Sequence, residues 1–397
     1  MTDRTLTPRL LELSRGFPAL FLTGPRQSGK TTLARSTFPD WPYRSLEDLQ
    51  VRDEAVADPR GFLARFAGAP GLILDEVQRA PELFSYLQGF IDERRAGPIL
   101  LTGSQNFQLS ARISQSLAGR AAVLELLPFS HAEASGRVAR APGSLVSGWT
   151  PLAGAGASVD ETIFRGGYPA SHDRNLDPRA WLDAYLRTYV ERDVRTLANI
   201  GDLATFTRFL RLCAGRVGQL LNLSALGADA GVDHTTARRW ISILEASYVV
   251  RLLPPHFRNF SKRLVKTPKL YFLDCGLACT LLGIRAPADL PTHPLRGPLV
   301  ENFVVTELVK VFLHHGEPAP LYFWRDHAGH EVDILVELGA EALPIEVKSS
   351  VTVPSDAVRG LVTFAAISGR KDGVLVHGGT EAYRRGDHVL QGWEGVS

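Results

Sequence analysis

A chain of 397 residues has room for about two to three domains, and a composition 45% hydrophobic and 22% charged excludes a disordered or collagen-like polymer. Forty-four basic against forty-two acidic side chains leave a net charge of +2, so any affinity for a polyanion has to come from local clusters. No apolar run approaches the ~18 residues of a membrane span, MTDRTLTPRLLELSRG lacks the apolar core of a secretory signal, and three cysteines (Cys213, Cys275, Cys279) are too few for a disulfide framework or a four-ligand zinc site, which predicts a cytoplasmic protein without membrane contact.

Seven lysines stand against thirty-seven arginines. A lysine kept in such a chain marks a position that a generic positive charge does not explain. Up to Ser261 there is one, Lys30; the others are Lys262, Lys266, Lys269, Lys310, Lys348 and Lys371.

In chain order, the first chemical signal is FPALFLTGPRQSGKTT over 17–32, an apolar run, a glycine-rich turn and a helix opening. Gly24, Gly29, Lys30 and Thr31 fill GxxxxGK[ST]. Glycines let backbone N–H groups curl around phosphates, and the following helix N-terminus favours negative charge. The loop Gly24, Pro25, Arg26, Gln27, Ser28, Gly29, Lys30, Thr31 and Thr32 is therefore the expected ATP cradle, with Lys30 on the β and γ phosphates and Thr31 on Mg²⁺. Next, GLILDE over 71–76 reads as a buried parallel strand whose end presents Asp75 to Mg²⁺ and Glu76 to the attacking water. A third strand, PILLTGS over 98–104, carries a polar residue at its tip to sense the γ-phosphate: Ser104, with Thr102 and Asn106 behind it. Of the arginines that follow, Arg112 and Arg120 are candidates for a finger toward a neighbouring subunit's ATP.

The motifs GPRQSGKTTL, LILDEVQRAPELFSYLQGFID, LLTGSQNFQLSARISQSLAGR and the later FRGGYP resemble, in order and spacing, the bacterial and archaeal AAA-type ATPases that carry a C-terminal domain of nuclease-like fold. The resemblance covers nearly the whole chain. It implies an AAA-type P-loop core and ATP hydrolysis, and says little of the physiological task.

Residues 136–160, rich in Gly, Ala, Ser and Pro, read as a loop or linker, and RGGYP over 165–169 as a turn. WLDAYLRTYVERDVRTL resumes as a helix with Trp181, Tyr185, Leu186 and Tyr189 on its core face and Glu191, Arg192 and Asp193 outward. LLNLSALGADAGVDHTTARRWISIL over 220–244 reads as a helix-turn-helix: Gly231 permits the turn, Asp233 caps a second helix, and that helix carries Thr235, Thr236, Arg238, Arg239 and Trp240. A wing-like segment follows, with Arg258, Lys262, Arg263, Lys266 and Lys269 among three aromatics. This basic, aromatic stretch suits a nucleic-acid backbone, and Thr235, Thr236, Arg238, Arg239, Lys262, Arg263 and Lys266 are the expected DNA contacts. A structural winged-helix module for intersubunit or interdomain packing, with its basic strand merely solvated, is the alternative.

Toward the C-terminus, GPLVENFVVTEL over 297–308 reads as a helix with Glu301 and Glu307, followed by a strand pair, YFWRDHAGHEVDILVE then ALPIEVKSS. Alternation puts Glu331 and Asp333 on one strand face and Glu346 with Lys348 on one face of the next. Two carboxylates facing a lysine can hold a divalent metal, Mg²⁺ or Mn²⁺, and activate water for phosphodiester attack. The arrangement resembles the PD-(D/E)xK nuclease core, which implies metal and catalytic roles for Glu301, Asp333, Glu346 and Lys348; Val332 stands where the usual proline precedes the aspartate. A buried salt-bridge network in an inactive nuclease fold is the alternative.

The expected fold is α/β: an AAA-type core over 1–135, a loop and helical region over 136–205, a winged helix over 206–268 and a restriction-endonuclease-like domain over 269–397. The expected function is ATP hydrolysis with DNA binding and a metal-dependent nuclease module, in a homo-oligomer, a ring or dimer. The alternatives are a regulatory DNA-binding ATPase with an inactive nuclease domain and an ATP-switched interaction scaffold.

Overall fold

The computed structural model describes the chain except for residues 1, 94, 105–116, 147–148, 174–175, 190–201, 257–265, 327–328 and 340. It divides into two units: Met1–Pro128 with Ala246–Tyr248 and Leu313–Glu317, and Phe129–Glu245 with Val249–Phe312 and Pro318–Ser397.

In the first unit, three apolar runs become the inner strands of a parallel sheet: β1 (Ala19–Thr23), β3 (Leu72–Asp75) and β4 (Ile99–Gly103), each buried along its whole length. β2 (Tyr43–Ser45) and β5 (Ala121–Glu125) form the edges, in the order β2-β3-β4-β1-β5 with every neighbour parallel. Strand alternation sends Phe21, Leu74 and Leu101 into one core with Phe84 and Leu87 of the helix Leu83–Asp92, and Leu20, Leu22, Ile73 and Leu100 into the other. The second core also takes Leu10 from α1 (Thr7–Gly16) and Leu33 from α2 (Lys30–Thr37). A parallel sheet delivers all its strand C-termini to one edge, so the turns after β1, β3 and β4 meet there.

The second unit opens its ordered core with α3 (Val159–Arg165). Three helices follow later, α4 (Leu203–Ala214), α5 (Leu223–Ala230) and α6 (His234–Ala246), and then an antiparallel pair, β6 (Val250–Leu253) with β7 (Lys269–Phe272). Gly231, at φ 79°, ends α5, and the Asp233 carboxylate accepts the Thr236 N–H at 2.8 Å to start α6. Trp240 packs edge-on against Phe206 and Phe209, with both ring centroids 5.1 Å away. Thus Trp240 is core, on a different face of α6 from Arg238 and Arg239, which are exposed. The pairing of Leu253 with Lys269 also means that the expected boundary between 268 and 269 falls inside a hydrogen-bonded hairpin.

After α7 (Arg296–Leu313) comes a mixed six-stranded sheet: β8 (Leu321–Arg325), β9 (Glu331–Leu338), β10 (Glu341–Lys348), β11 (Gly373–His377), β12 (Ala382–Arg385) and β13 (His388–Gly392), in the order β12-β13-β11-β10-β9-β8. β8, β9 and β10 form an antiparallel meander, α8 (Arg359–Ser368) crosses over, and β11 lies parallel to β10. The run expected as one strand over 322–337 is two: Asp326 accepts the His330 N–H at 2.9 Å and its second oxygen lies 2.9 Å from His330 Nδ1, turning the chain. Nor is 136–160 a bare linker. Residues Gly143–Val146 are helical, and the Glu394 carboxylate gathers the N–H groups of Ala155, Gly156 and Ala157 at 2.9, 2.9 and 3.1 Å. Among the described residues, no helix is long and apolar enough to cross a membrane.

Candidate nucleotide site and carboxylate cluster

The turn after β1 is built around two glycines in backbone conformations that favour glycine. Gly24 sits at φ 147°, where a Cβ would lie 2.1 Å from the Leu126 carbonyl oxygen, and Gly29 at φ 95° caps α2. The first N–H groups of α2 have no partner within the helix and face the same edge of the sheet. Arg4 braces the turn, donating to the Ser28 carbonyl at 2.9 Å and the Leu127 carbonyl at 2.7 Å. Lys30 is 6% exposed, and its ammonium donates to the carbonyls of Gly24 at 3.0 Å and Pro25 at 2.7 Å. Burial lowers its pKa to about 8 against the opposing pull of Glu76 and Asp75.

Thr31 Oγ1 lies 3.0 Å from each carboxylate oxygen of Asp75, which is 5% exposed. The same carboxylate accepts from the Tyr43 hydroxyl at 2.8 Å and from Thr102 Oγ1. Burial and this bond push the Tyr43 phenol up to about 12. Three hydroxyls, and no cation in salt-bridge contact among the described residues, hold the buried anion. Glu76 follows at φ 55°, an unusual conformation for a side chain of its size, and its N–H donates to Thr102 Oγ1 at 3.3 Å. Gln78 Nε2 donates to Glu76 Oε2 and lies 3.4 Å from Ser104 Oγ. Tyr248, also left-handed at φ 58°, donates its hydroxyl to Thr23 Oγ1 at 3.2 Å, one residue before the glycine turn.

Lys30, Thr31, Asp75, Glu76 and Ser104 are thus brought together. Arg120 is not: at the opposite end of the sheet, its guanidinium makes a paired contact with Asp92, Nε to Oδ1 at 2.6 Å and Nη2 to Oδ2 at 3.0 Å. Asn106 and Arg112 lie outside the described residues. Sequence reasoning missed Arg4, Tyr43, Gln78 and Tyr248. Only Gln78 carried a signal, its place two residues beyond Glu76.

In the second unit, β9, β10 and α7 bring Glu301, Asp333, Glu346 and Lys348 together, along with Lys269, Tyr271, Arg325 and Glu331. Lys269 of β7, 3% exposed, reaches Glu301 Oε1 at 3.0 Å and Glu331 Oε1 at 2.5 Å. This corrects the sequence reading that placed Lys269 on a basic surface: it opens the apolar strand KLYF, and its ammonium is held inside the unit by carboxylates. Tyr271 donates to Glu301 Oε1, Arg325 reaches Glu331 Oε2 at 3.2 Å, Lys348 reaches Glu346 Oε2 at 3.1 Å, and Asp333 accepts the Val347 N–H at 2.9 Å. Burial, then the charge of Asp333, raises Glu301 to about 7 and Glu346 to about 9. Among the described residues, no group of three or more His, Cys, Asp or Glu is arranged to hold a metal ion.

On α6, Thr235, Arg238 and Arg239 are exposed, as is Lys266. Thr236 is partly buried, and its hydroxyl is engaged with Asp233 Oδ2 at 3.0 Å, so it serves the helix cap. Lys262 and Arg263 lie outside the described residues.

Residues 16–135 match the model of an AAA domain, 156–288 a domain of unknown function (DUF8612) and 296–394 another (DUF4143). Over 355 residues the chain is 35% identical to the uncharacterized proteins Rv2008c of Mycobacterium tuberculosis and Mb2031c of Mycobacterium bovis, covering 88% of this chain and 74% of theirs. The Walker-type ATPase of Pyrococcus abyssi is similar over 71% of this chain and 96% of its own, at 14% identity and a TM-score of 0.44. With an AAA domain at its head and its relation to the mycobacterial proteins running through most of both chains, this chain belongs to their family.

Proposed function

We propose that the protein is a Mg²⁺-dependent ATPase that binds duplex DNA. The observation that carries the reading is the convergence of Lys30, Thr31, Asp75 and Glu76 at one edge of a parallel sheet. Loop N–H groups, the start of α2 and Lys30 take the β and γ phosphates. Thr31 and Asp75 fit the metal that accompanies ATP, because a buried carboxylate balanced only by hydroxyls favours a cation. Bound there, Mg²⁺ neutralises phosphate charge. Glu76 polarises the attacking water, and Ser104 contacts the γ-phosphate. ATP turnover tests this: Glu76→Gln keeps nucleotide binding and loses about 10²–10⁴ in kcat, whereas unchanged turnover refutes the assignment of the base.

Thr235, Arg238 and Arg239 on the exposed side of α6, with Lys266 beyond β6, supply the DNA face of a winged-helix module. Binding that weakens steeply with salt supports it; no binding at low salt removes DNA from the proposal. Assembly into a ring or dimer would give Arg120 a neighbouring site, at the loss of its Asp92 pair.

The order helix, three-strand meander, helix, parallel strand supports a restriction-endonuclease-like module over α7 to β11. One observation favours the inactive form of that module: Lys269 supplies the cation that Glu301 would otherwise lack, and with Arg325 it neutralises Glu331. These residues do not fit a metal centre. Cleavage of DNA with Mn²⁺ that Asp333→Ala abolishes would reverse this reading.

A further inference from the structure

We infer that Gln78 orients the attacking water beside Glu76, a role that rests on the ATP-hydrolysing reading above. Gln78 lies in the single 3-10 turn Val77–Arg79 that follows β3. One half of its carboxamide is anchored: Nε2 donates to Glu76 Oε2 and lies 3.4 Å from Ser104 Oγ, so Gln78 ties the base to the polar tip of β4. The other half is not. Gln78 Oε1 is shielded from solvent and has no hydrogen-bond partner among the described residues. An amide oxygen stripped of water and left without a donor costs about 1–3 kcal/mol, and an acceptor in that condition is explained best by a ligand that supplies the donor.

The chemistry of the site says which ligand. Triphosphate oxygens are acceptors and cannot satisfy an amide oxygen, but a water held beside the γ-phosphate can. Gln78 already bonds Glu76 Oε2, which leaves Glu76 Oε1 for one hydrogen of that water and Gln78 Oε1 for the other. With both hydrogens directed, the water oxygen turns its lone-pair side away from Glu76 and Gln78, toward the γ-phosphorus. The left-handed backbone at Glu76 sets both side chains at this turn, and unusual backbone of that kind is concentrated where geometry serves function.

In the displacement, a bond forms from the water oxygen to the γ-phosphorus, and the bond to the β,γ-bridging oxygen breaks, its electron pair leaving on ADP. One water proton passes to the Glu76 carboxylate; the other stays on the new phosphate as its P–O–H. Gln78 gains and loses no proton. It acts on direction alone.

The test uses the full chain and four proteins: the parent, Gln78→Leu, Gln78→Asn and Glu76→Gln. Fluorescent-ATP affinity, kcat, KM, thermal midpoint and retention of ADP with aluminium fluoride are measured for each. Gln78→Leu is expected to keep ATP affinity, KM and thermal midpoint, to lose about 10- to 100-fold in kcat, and to lose aluminium fluoride retention in parallel while plain ADP binding stays the same. Gln78→Asn, which keeps both amide functions one methylene shorter, should recover part of the loss. A Gln78→Leu protein with kcat within about twofold of the parent overturns the inference. So does a loss of kcat that comes with an equal loss of ATP affinity and thermal midpoint in both variants, since that marks a structural role. A parent that neither binds nor turns over ATP sinks the ATPase reading itself, an outcome distinct from both.

Discussion

Both units gather carboxylates around a lysine, and the two lysines are held in opposite ways. Lys30 meets backbone carbonyls of its own loop, and burial lowers its pKa to about 8. Lys269 meets two carboxylates, and their charges outweigh burial so that its pKa rises. On the Lys30 side, the first N–H donors of α2 have no partner within their helix and Gln78 Oε1 has none among the described residues; around Lys269 nearly every charge has an opposite charge or a donor. The comparison teaches that a cluster of acidic residues and a lysine is not in itself evidence of chemistry. What distinguishes a site prepared for a ligand from a packing solution is whether the polar groups are already satisfied by the protein.

Replacing each lysine by methionine would break this comparison most sharply. Lys269→Met strands Glu301 in a largely buried setting, leaves Glu331 to Arg325 alone and should cost about 3–5 kcal/mol of stability, read by denaturant unfolding. Lys30→Met removes an ammonium that burial disfavours and should leave stability unchanged or raised. Equal losses in the two variants would erase the distinction.

A pH series sharpens the second half. Glu346 keeps its proton in the folded protein up to about 9, whereas a carboxylate in the unfolded chain loses it near 4.5. Between those values the native state binds more protons than the unfolded state, so its contribution to stability falls as pH rises. With chelator present, Glu346→Gln should flatten the decline of the thermal midpoint between pH 5 and 9; an unaltered slope would mean that Lys348 already compensates the charge.

The smallest effect expected is at Tyr43. Tyr43→Phe removes one of three hydroxyls from Asp75 and should cost about 1–2 kcal/mol of stability, with ATP affinity retained. A loss of ATP binding instead would place Tyr43 in the ligand site.

The P-loop and the strand ending in Asp75 and Glu76 were legible because each is a local pattern, a glycine turn or a buried run with a polar end. Tyr43, Arg4 and Tyr248 were not, because they reach the site from 32, 24 and 225 residues away along the chain and carry no pattern of their own. At Lys269 composition and periodicity point in opposite directions. Counted with Lys262 and Lys266 it looks like part of a basic surface, yet the KLYF that it opens is a wholly buried strand. The split of β8 from β9 does carry a signal, since Asp326 and Gly329 are turn residues, but the apolar runs that flank them mask it.

The most direct measurement is calorimetric titration of the whole protein with ATP and Mg²⁺, beside Lys30→Ala. Saturable one-to-one uptake by the parent, at least about 100-fold weaker in the variant, is the result predicted by a nucleotide site built on Lys30, Thr31, Asp75 and Glu76. No uptake by the parent, or equal uptake by both, would contradict it.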